Sequence, residues 1–210
     1  MLLGQGVEAE APAGLNGAVP RSGEPDLNLI RAFRAGNEAA FDGLYVRYQD
    51  YVYNVCLGIL SNPDDARDCA QETFLRAYCK VADFRAEAAF STWLYRIAVN
   101  VCVGQLRKRR RGRMASLEDE SVREIPDEGP RPWRGLERQV DEQLVRRVVA
   151  ELPEDYRVVL VLRYFQELSH EEMVTVLGYT LGQVKVKLHR ARRAFARKWA
   201  ERGLEAVNVG

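Results

Sequence analysis

Apolar residues recur at helical spacing through most of this chain, so that at roughly 100° per residue they gather on one side of each candidate helix. Between Thr180 and Trp199, residues Leu181, Val184, Leu188, Ala191, Phe195 and Trp199 share the side expected to be buried. The opposite side carries Gly182, Val186, His189, Arg190 and Arg193, flanked by Gln183, Lys185, Lys187 and Arg192, with no acid in the segment. Just upstream, Ser169 with Glu172 has the spacing of a capping box, and Thr180 with Gln183 repeats it. Gly178 is placed to stop the first helix after Leu177. The spacing therefore predicts a short helix, a tight turn and a longer helix, the pattern of a helix-turn-helix whose second helix enters the DNA major groove. A charge run alone would favour a solvated bundle face; the paired caps and the tight turn reverse that and favour DNA.

The same periodicity predicts helices upstream. Leu27, Ile30 and Phe33 mark a short helix from Asp26 ended by Gly36, and Asn37 is placed to cap the next, with Phe41, Leu44, Tyr45, Tyr48, Val52, Val55 and Ile59 as its core stripe. After a turn at Ser61-Asn62, Pro63-Asp64-Asp65 puts proline at a first helical position and acids in the first turn. There Ala66, Ala70, Phe74 and Ala77 face inward, while Asp65, Arg67, Asp68, Gln71, Glu72 and Arg76 form a polar face, either solvated or docking a charged partner. Phe84 to Phe90 reads as a loop, and Ser91 or Thr92 caps a helix holding Trp93, Leu94, Ile97, Ala98, Val101 and Leu106 in register. Its far end bears Arg107, Lys108, Arg109, Arg110, Arg111 and Arg113, more cations than a helix dipole uses. Such a cluster beside aromatic rings suits a nucleic-acid backbone, with rings to stack on unpaired bases. Helices are also expected over 136–150 and 153–167, with Val140, Leu144, Val148, Val159, Leu160, Leu162 and Phe165 as core. Arg157 and Arg163 are placed either to reach phosphate or to lie in solvent.

The fold class expected is all-α: two small helical domains, 26–113 and 137–204, the second a four-helix domain containing the helix-turn-helix. Residues 1–25 are rich in Gly, Ala and Pro and read as a disordered tail, with a short tail at 205–210. Between the domains, 114–136 reads as a flexible linker, with Glu118, Asp119, Glu120, Glu124, Asp127 and Glu128 interleaved with Pro126, Pro130 and Pro132. The formal net charge of +1 conceals this segregation of acidic and basic blocks.

Candidate chemistry is sparse. Cys56, Cys69, Cys79 and Cys102 have no CxxC spacing and no histidine nearby, so reduced thiols packed between helices are expected and no metal. There is no nucleophile with a base, no phosphate-binding glycine loop and no paired acids, so neither enzymatic activity nor a cofactor is expected. With no leader segment and no apolar run able to cross a bilayer, membrane insertion is not expected and the cytoplasm is the expected location.

The blocks DDARDCAQETFLRAY, FRAEAAFSTWLYRIAVN with LRKRRR, and LPEDYRVVLVLRYFQELSHEEM with its helix-turn-helix, in that order, closely resemble the extracytoplasmic-function sigma factors of bacterial RNA polymerase over residues 26–113 and 137–200. The resemblance implies that the helix from Asp64 to Tyr78 docks on the coiled coil of the largest polymerase subunit, with Asp65, Asp68, Gln71, Glu72 and Arg76 as contacts. It implies that the loop captures a base flipped out of the non-template strand at the minus-ten element. Phe84, Arg85, Phe90, Trp93, Asn100, Arg107, Lys108, Arg109 and Arg110 would then meet opened DNA. Gln183, Lys185, Val186, Lys187, His189, Arg190 and Arg193 would read the minus-thirty-five element. It also implies an anti-sigma protein as partner, and a linker whose acids imitate nascent RNA in the exit path, although the residues themselves read equally as a plain connection.

Departures from the family pattern are specific. Gly104 stands where an Asp is usual, and Met173-Val174 replaces Ile-Ala. Val186 stands where Ser is usual in the recognition helix; a valine side chain is able to press on a thymine methyl but not to hydrogen-bond, so a distinct promoter sequence is expected. An autonomous helix-turn-helix repressor would use the same last helix without needing the DDARDCAQETF surface. A helical protein whose basic patches meet an acidic partner is the other alternative.

Overall fold

The computed structural model describes residues 23–114 and 142–202. Residues 1–22, 115–141 and 203–210 lie outside these, and with them most of the expected tail over 1–25, nearly all of the expected linker over 114–136 and the expected helical start over 136–141. Among the described residues eight α-helices follow in order: α1 Glu24–Arg34, α2 Ala40–Leu60, α3 Pro63–Lys80, α4 Phe90–Met114, α5 Glu142–Ala150, α6 Glu154–Leu160, α7 His170–Leu177 and α8 Leu181–Glu201. A 3-10 turn at Val81–Asp83 follows α3, and Val161–Phe165 continues α6 as π-helix. Among the described residues there is no strand.

Local signals fix several of the ends. Asn62 accepts the Asp65 N–H at 3.0 Å as N-cap of α3, with Pro63 beginning the helix and Ser61 in the left-handed region at φ 55°. Two expected caps are corrected. α2 starts at Ala40 with no side-chain cap, because Asn37 to Ala39 form a turn in which Asn37 offers its backbone carbonyl to Ala40 N–H at 3.1 Å. α4 begins at Phe90, which puts Ser91 and Thr92 inside the first turn as buried side chains.

α2, α3 and α4 pack mutually, with α1 across α2. Leu44, Val52, Val55, Ile59 and Leu94 are fully buried, and burial of such a side chain stabilises by about 1.5–3 kcal/mol. One thiol from each helix, Cys56, Cys69 and Cys102, joins this core, and Cys79 is exposed; all are free. Hydrogen-bonding contact with Cys56 and Cys69, together with burial, holds the Cys102 thiol protonated. Tyr45, expected in the core stripe, is exposed and lies edge-on over Phe74 at 4.8 Å. Phe165 is only half-buried, while its neighbour Val161 is fully buried.

The helical halves share one continuous core. α7 lies on α4, and α5, α6 and the π-segment lie on α2. At the seam Arg157 donates Nη1–H to the carbonyl of Ile59 at 2.7 Å and Nη2–H to that of Leu152 at 3.2 Å. Burial pulls its pKa below the ordinary value, with nearby Glu154 acting in the opposite sense. Gly58 is bare backbone where a Cβ would stand 2.8 Å from Val161 Cγ2. Arg163 donates to the Leu168 carbonyl at 2.7 Å. Both arginines are thus committed to backbone carbonyls, and neither is a solvated or phosphate-seeking side chain in this arrangement.

Candidate nucleic-acid interface

The helix-turn-helix is built by two reciprocal caps. Glu172 N–H donates to Ser169 Oγ at 3.1 Å and Ser169 N–H to Glu172 Oε2 at 2.7 Å; Gln183 N–H donates to Thr180 Oγ1 at 3.2 Å and Thr180 N–H to Gln183 Oε1 at 2.8 Å. Gly178, at φ 68°, turns the chain between them and donates its N–H to the carbonyl of Val174 at 2.9 Å. Val184, Leu188, Ala191, Ala194, Phe195 and Trp199 seat α8 on its neighbours. Leu181, expected on that side, is exposed because it opens the helix before the packed turn begins.

The face left outside is basic. Lys185, Val186 and Arg190 are exposed, and His189 and Arg193 are half-buried. Gln183 has its carbonyl oxygen taken by the cap, which leaves the amide NH₂ as its outward donor. Lys187 is less available: it pairs with Asp155 at 2.6 Å and lies over the Tyr179 ring at 5.3 Å.

On α3, Asp68, Gln71, Leu75 and Arg76 are exposed and Glu72 is half-exposed, aligned at helical spacing. Glu72 and Arg76 pair at 2.7 Å. Leu75 is 65% exposed among them, so this face of α3 is apolar as well as charged, and on α2 Val46 is 67% exposed. Polarity patterning alone missed both, and the helical register of Leu75 with Asp68 and Gln71 is the signal that would have found it. Asp65 departs from the expected set: it is paired with Arg109 and reached by Gln105 Nε2 at 3.4 Å. An acid assigned to one partner and a cation assigned to another therefore neutralise each other across α3 and α4.

The 84–90 loop also differs from expectation. Phe84 and Phe90 are buried and form an aromatic cluster with Trp93, centroids 5.4 to 5.6 Å apart, and Tyr48 meets Phe90 at 5.3 Å. These two rings fasten the loop to the core and are not open to a base in this arrangement. Arg85 is exposed between them, Trp93 is half-buried, and Asn100, Arg107, Lys108, Arg109 and Arg110 line the outer side of α4. Among the described residues, no group of His, Cys, Asp and Glu is arranged to hold a metal ion, and no helix is long and apolar enough to cross a membrane.

An all-helical chain with a capped helix-turn-helix at one end and a basic helix beside an aromatic-stapled loop at the other defines a class of DNA-associated transcription protein. Residues 44–112 match the family model of sigma-70 region 2, and residues 142–195 match that of sigma-70 region 4. The RNA polymerase sigma-H factor of Pseudomonas aeruginosa is 34% identical over 81% of this chain and 92% of its own length. The extracytoplasmic-function factor SigW of Bacillus subtilis is 32% identical over 80% of this chain and 94% of its own length. The chain belongs to the sigma-70 family, in its extracytoplasmic-function group. Two solved structures share the fold, both at 23% identity: RpoE of Bartonella quintana in complex with the anti-sigma factor NepR, with TM-score 0.61 over 77% of this chain and 98% of that one, and CnrH in complex with the cytosolic domain of CnrY, with TM-score 0.62 over 85% and 99%.

Proposed function

We propose that this chain is an alternative sigma subunit that binds core RNA polymerase, reads a minus-thirty-five and a minus-ten element, and helps to open the DNA. The observation that carries the reading is the division of labour along the chain: the region 2 match contains the charged and apolar α3 face, and the region 4 match contains the capped helix-turn-helix. On this reading Asp68, Gln71, Glu72, Leu75 and Arg76 meet the coiled coil of the largest polymerase subunit. Lys185, Val186, His189, Arg190 and Arg193 meet the upstream duplex. Arg85, Trp93, Asn100, Arg107, Lys108 and Arg110 meet the opened strand, with Arg109 held back by Asp65.

The charged groups divide into positioning and reading roles. Exposed cations hold phosphates whatever the sequence, while Val186 and the Gln183 amide face base edges. Melting needs no hydrolysis by this subunit, because capture of extruded bases offsets unstacking of a few kcal/mol per step. Bond formation belongs to the polymerase, and the working location is the cytoplasm, where the polymerase is. An anti-sigma protein that covers the polymerase-facing surface fits the same reading.

The closed arrangement adds a requirement. Two elements about 25 base pairs apart are separated by roughly 85 Å, whereas a single folded body of this size is roughly 40 Å across. The halves therefore separate at the Gly58–Val161 seam before both elements are held. Residues 115–141 reach about 90 Å when fully extended, enough to permit it.

Association with core polymerase tests the reading. Asp68→Lys with Glu72→Lys is expected to weaken that association at least about tenfold while leaving the helical content unchanged; equal affinity for the variant and the parent chain would refute the α3 assignment.

A further inference from the structure

α1 lies outside the residues matched to region 2, yet it holds the 84–90 loop directly at its start and through Tyr48 of α2 at its close. At the start of the loop, the guanidinium of Arg34 donates Nε–H to the carbonyl of Ala82 at 2.8 Å and Nη2–H to the carbonyl of Phe84. At its close, Asp26 of α1, 1% exposed, accepts the Tyr48 hydroxyl at 2.6 Å, and the Tyr48 ring lies edge-on against Phe90. Arg47 faces the other oxygen of Asp26 at 3.3 Å, so the buried carboxylate is charge-compensated and the Tyr48 hydroxyl is fixed in direction.

Between these anchors the backbone is in a conformation it would not choose alone. Ala86 has φ 56°, in the left-handed region that a residue with a Cβ avoids. Such a residue persists only when its surroundings over-determine it. The fork of an arginine suits the task, because its planar N–H groups reach two carbonyls at once with little further loss of freedom. Arg34 itself is exposed, so its removal leaves the core untouched.

We propose that α1 is a brace for the loop, and that Arg34, supported by Asp26 through Tyr48, is a positioning residue for capture of the minus-ten base. Arg34 touches no DNA; it sets the loop so that Arg85 is presented outward between two buried phenylalanines. The inference rests on the reading of this loop as the minus-ten contact, and the test separates the two.

Full-length parent, Arg34→Ala and Arg34→Lys are compared in two measurements. The first is amide hydrogen exchange over residues 82–90 in the free chain, beside the thermal midpoint. The second is permanganate reactivity of unpaired thymines when each chain is joined to core polymerase at a promoter recovered by transcript sequencing. Exchange in the loop is expected to rise about tenfold or more in both variants, since lysine keeps the charge but loses the fork, with the midpoint and core affinity unchanged. Open-complex reactivity is expected to fall about tenfold, and Ala86→Gly in the Arg34→Ala chain to restore part of it by relieving the backbone. Unchanged loop exchange, or faster exchange spread evenly through the chain with a lower midpoint, overturns the brace. Faster loop exchange with full open-complex formation overturns the positioning role, while the loop's own assignment to the minus-ten element is read separately from Arg85→Ala, whose full open-complex reactivity would overturn that assignment whatever Arg34 does.

Discussion

Gly58 of α2 and Val161 of the π-segment approach so closely that a methyl group on Gly58 would lie 2.8 Å from Val161 Cγ2. Glycine inside a helix is ordinarily about 1 kcal/mol worse than alanine, so its presence in α2 is explained by the neighbour it admits. Gly58→Ala is therefore expected to help the helix and to wedge the halves apart. Small-angle scattering should report a larger radius of gyration for Gly58→Ala and a return towards the parent value for Gly58→Ala with Val161→Ala. No change in the single variant would mean that the seam does not depend on this contact.

Tyr95 is fully buried beside α7, and its hydroxyl has no hydrogen-bonding partner among the described residues. Burial, then the neighbouring Tyr48, raises its pKa above the ordinary value of 10.0. A raised pKa means the folded state resists ionisation, so the stabilisation is complete below about pH 10 and is lost as pH rises beyond it. Tyr95→Phe should leave stability equal or about 1 kcal/mol higher at neutral pH. Its advantage over the parent should widen between about pH 10 and 11.5 in thermal melts; a constant difference would contradict the expectation.

Ser169 and Thr180 each satisfy a backbone N–H at a helix start. Replacing either by alanine should cost about 1 kcal/mol. Thr180→Ala should in addition free Gln183 from the cap and weaken upstream-element binding, which Ser169→Ala should not do in like measure. Denaturant melts and duplex binding by the holoenzyme separate the two effects.

Arg107, Lys108 and Arg110 are exposed, while Arg109 is engaged with Asp65. Neutralising Arg107, Lys108 and Arg110 together should flatten the salt dependence of promoter binding by about 0.7 unit of slope for each single-strand phosphate no longer held. Neutralising Arg109 alone should change the slope less and lower stability by uncovering Asp65. Equal slopes for the triple variant and the parent would remove this segment from the DNA interface.

Val186 is 51% exposed on the outer face of α8. Val186→Ser should change sequence preference within the upstream element only, as read from promoter libraries. A uniform loss across all sequences would mean that Val186 positions the helix without reading it.

The helices and the helix-turn-helix were legible because their signals are local: caps at Ser169 and Thr180, proline at the start of α3, the stop at Gly178, and apolar phase in α3 and α8. What escaped the sequence depends on contacts between distant residues. Nothing near Arg157 reveals that its partner is the Ile59 carbonyl, and nothing near Asp65 reveals Arg109. Phe84 and Phe90 read as loop rings because their burial against Trp93 and Tyr48 is a tertiary fact. Asn37 failed as a cap because the following turn uses its backbone, which composition does not encode.

The central claim is that this chain directs polymerase to particular start sites. The direct measurement is sequencing of RNA 5′ ends made on genomic DNA by bacterial core RNA polymerase with and without the full chain. The account predicts new start sites, dependent on the chain, that share two upstream elements at fixed spacing. Failure to join the core, or joining without any defined start site, would contradict it.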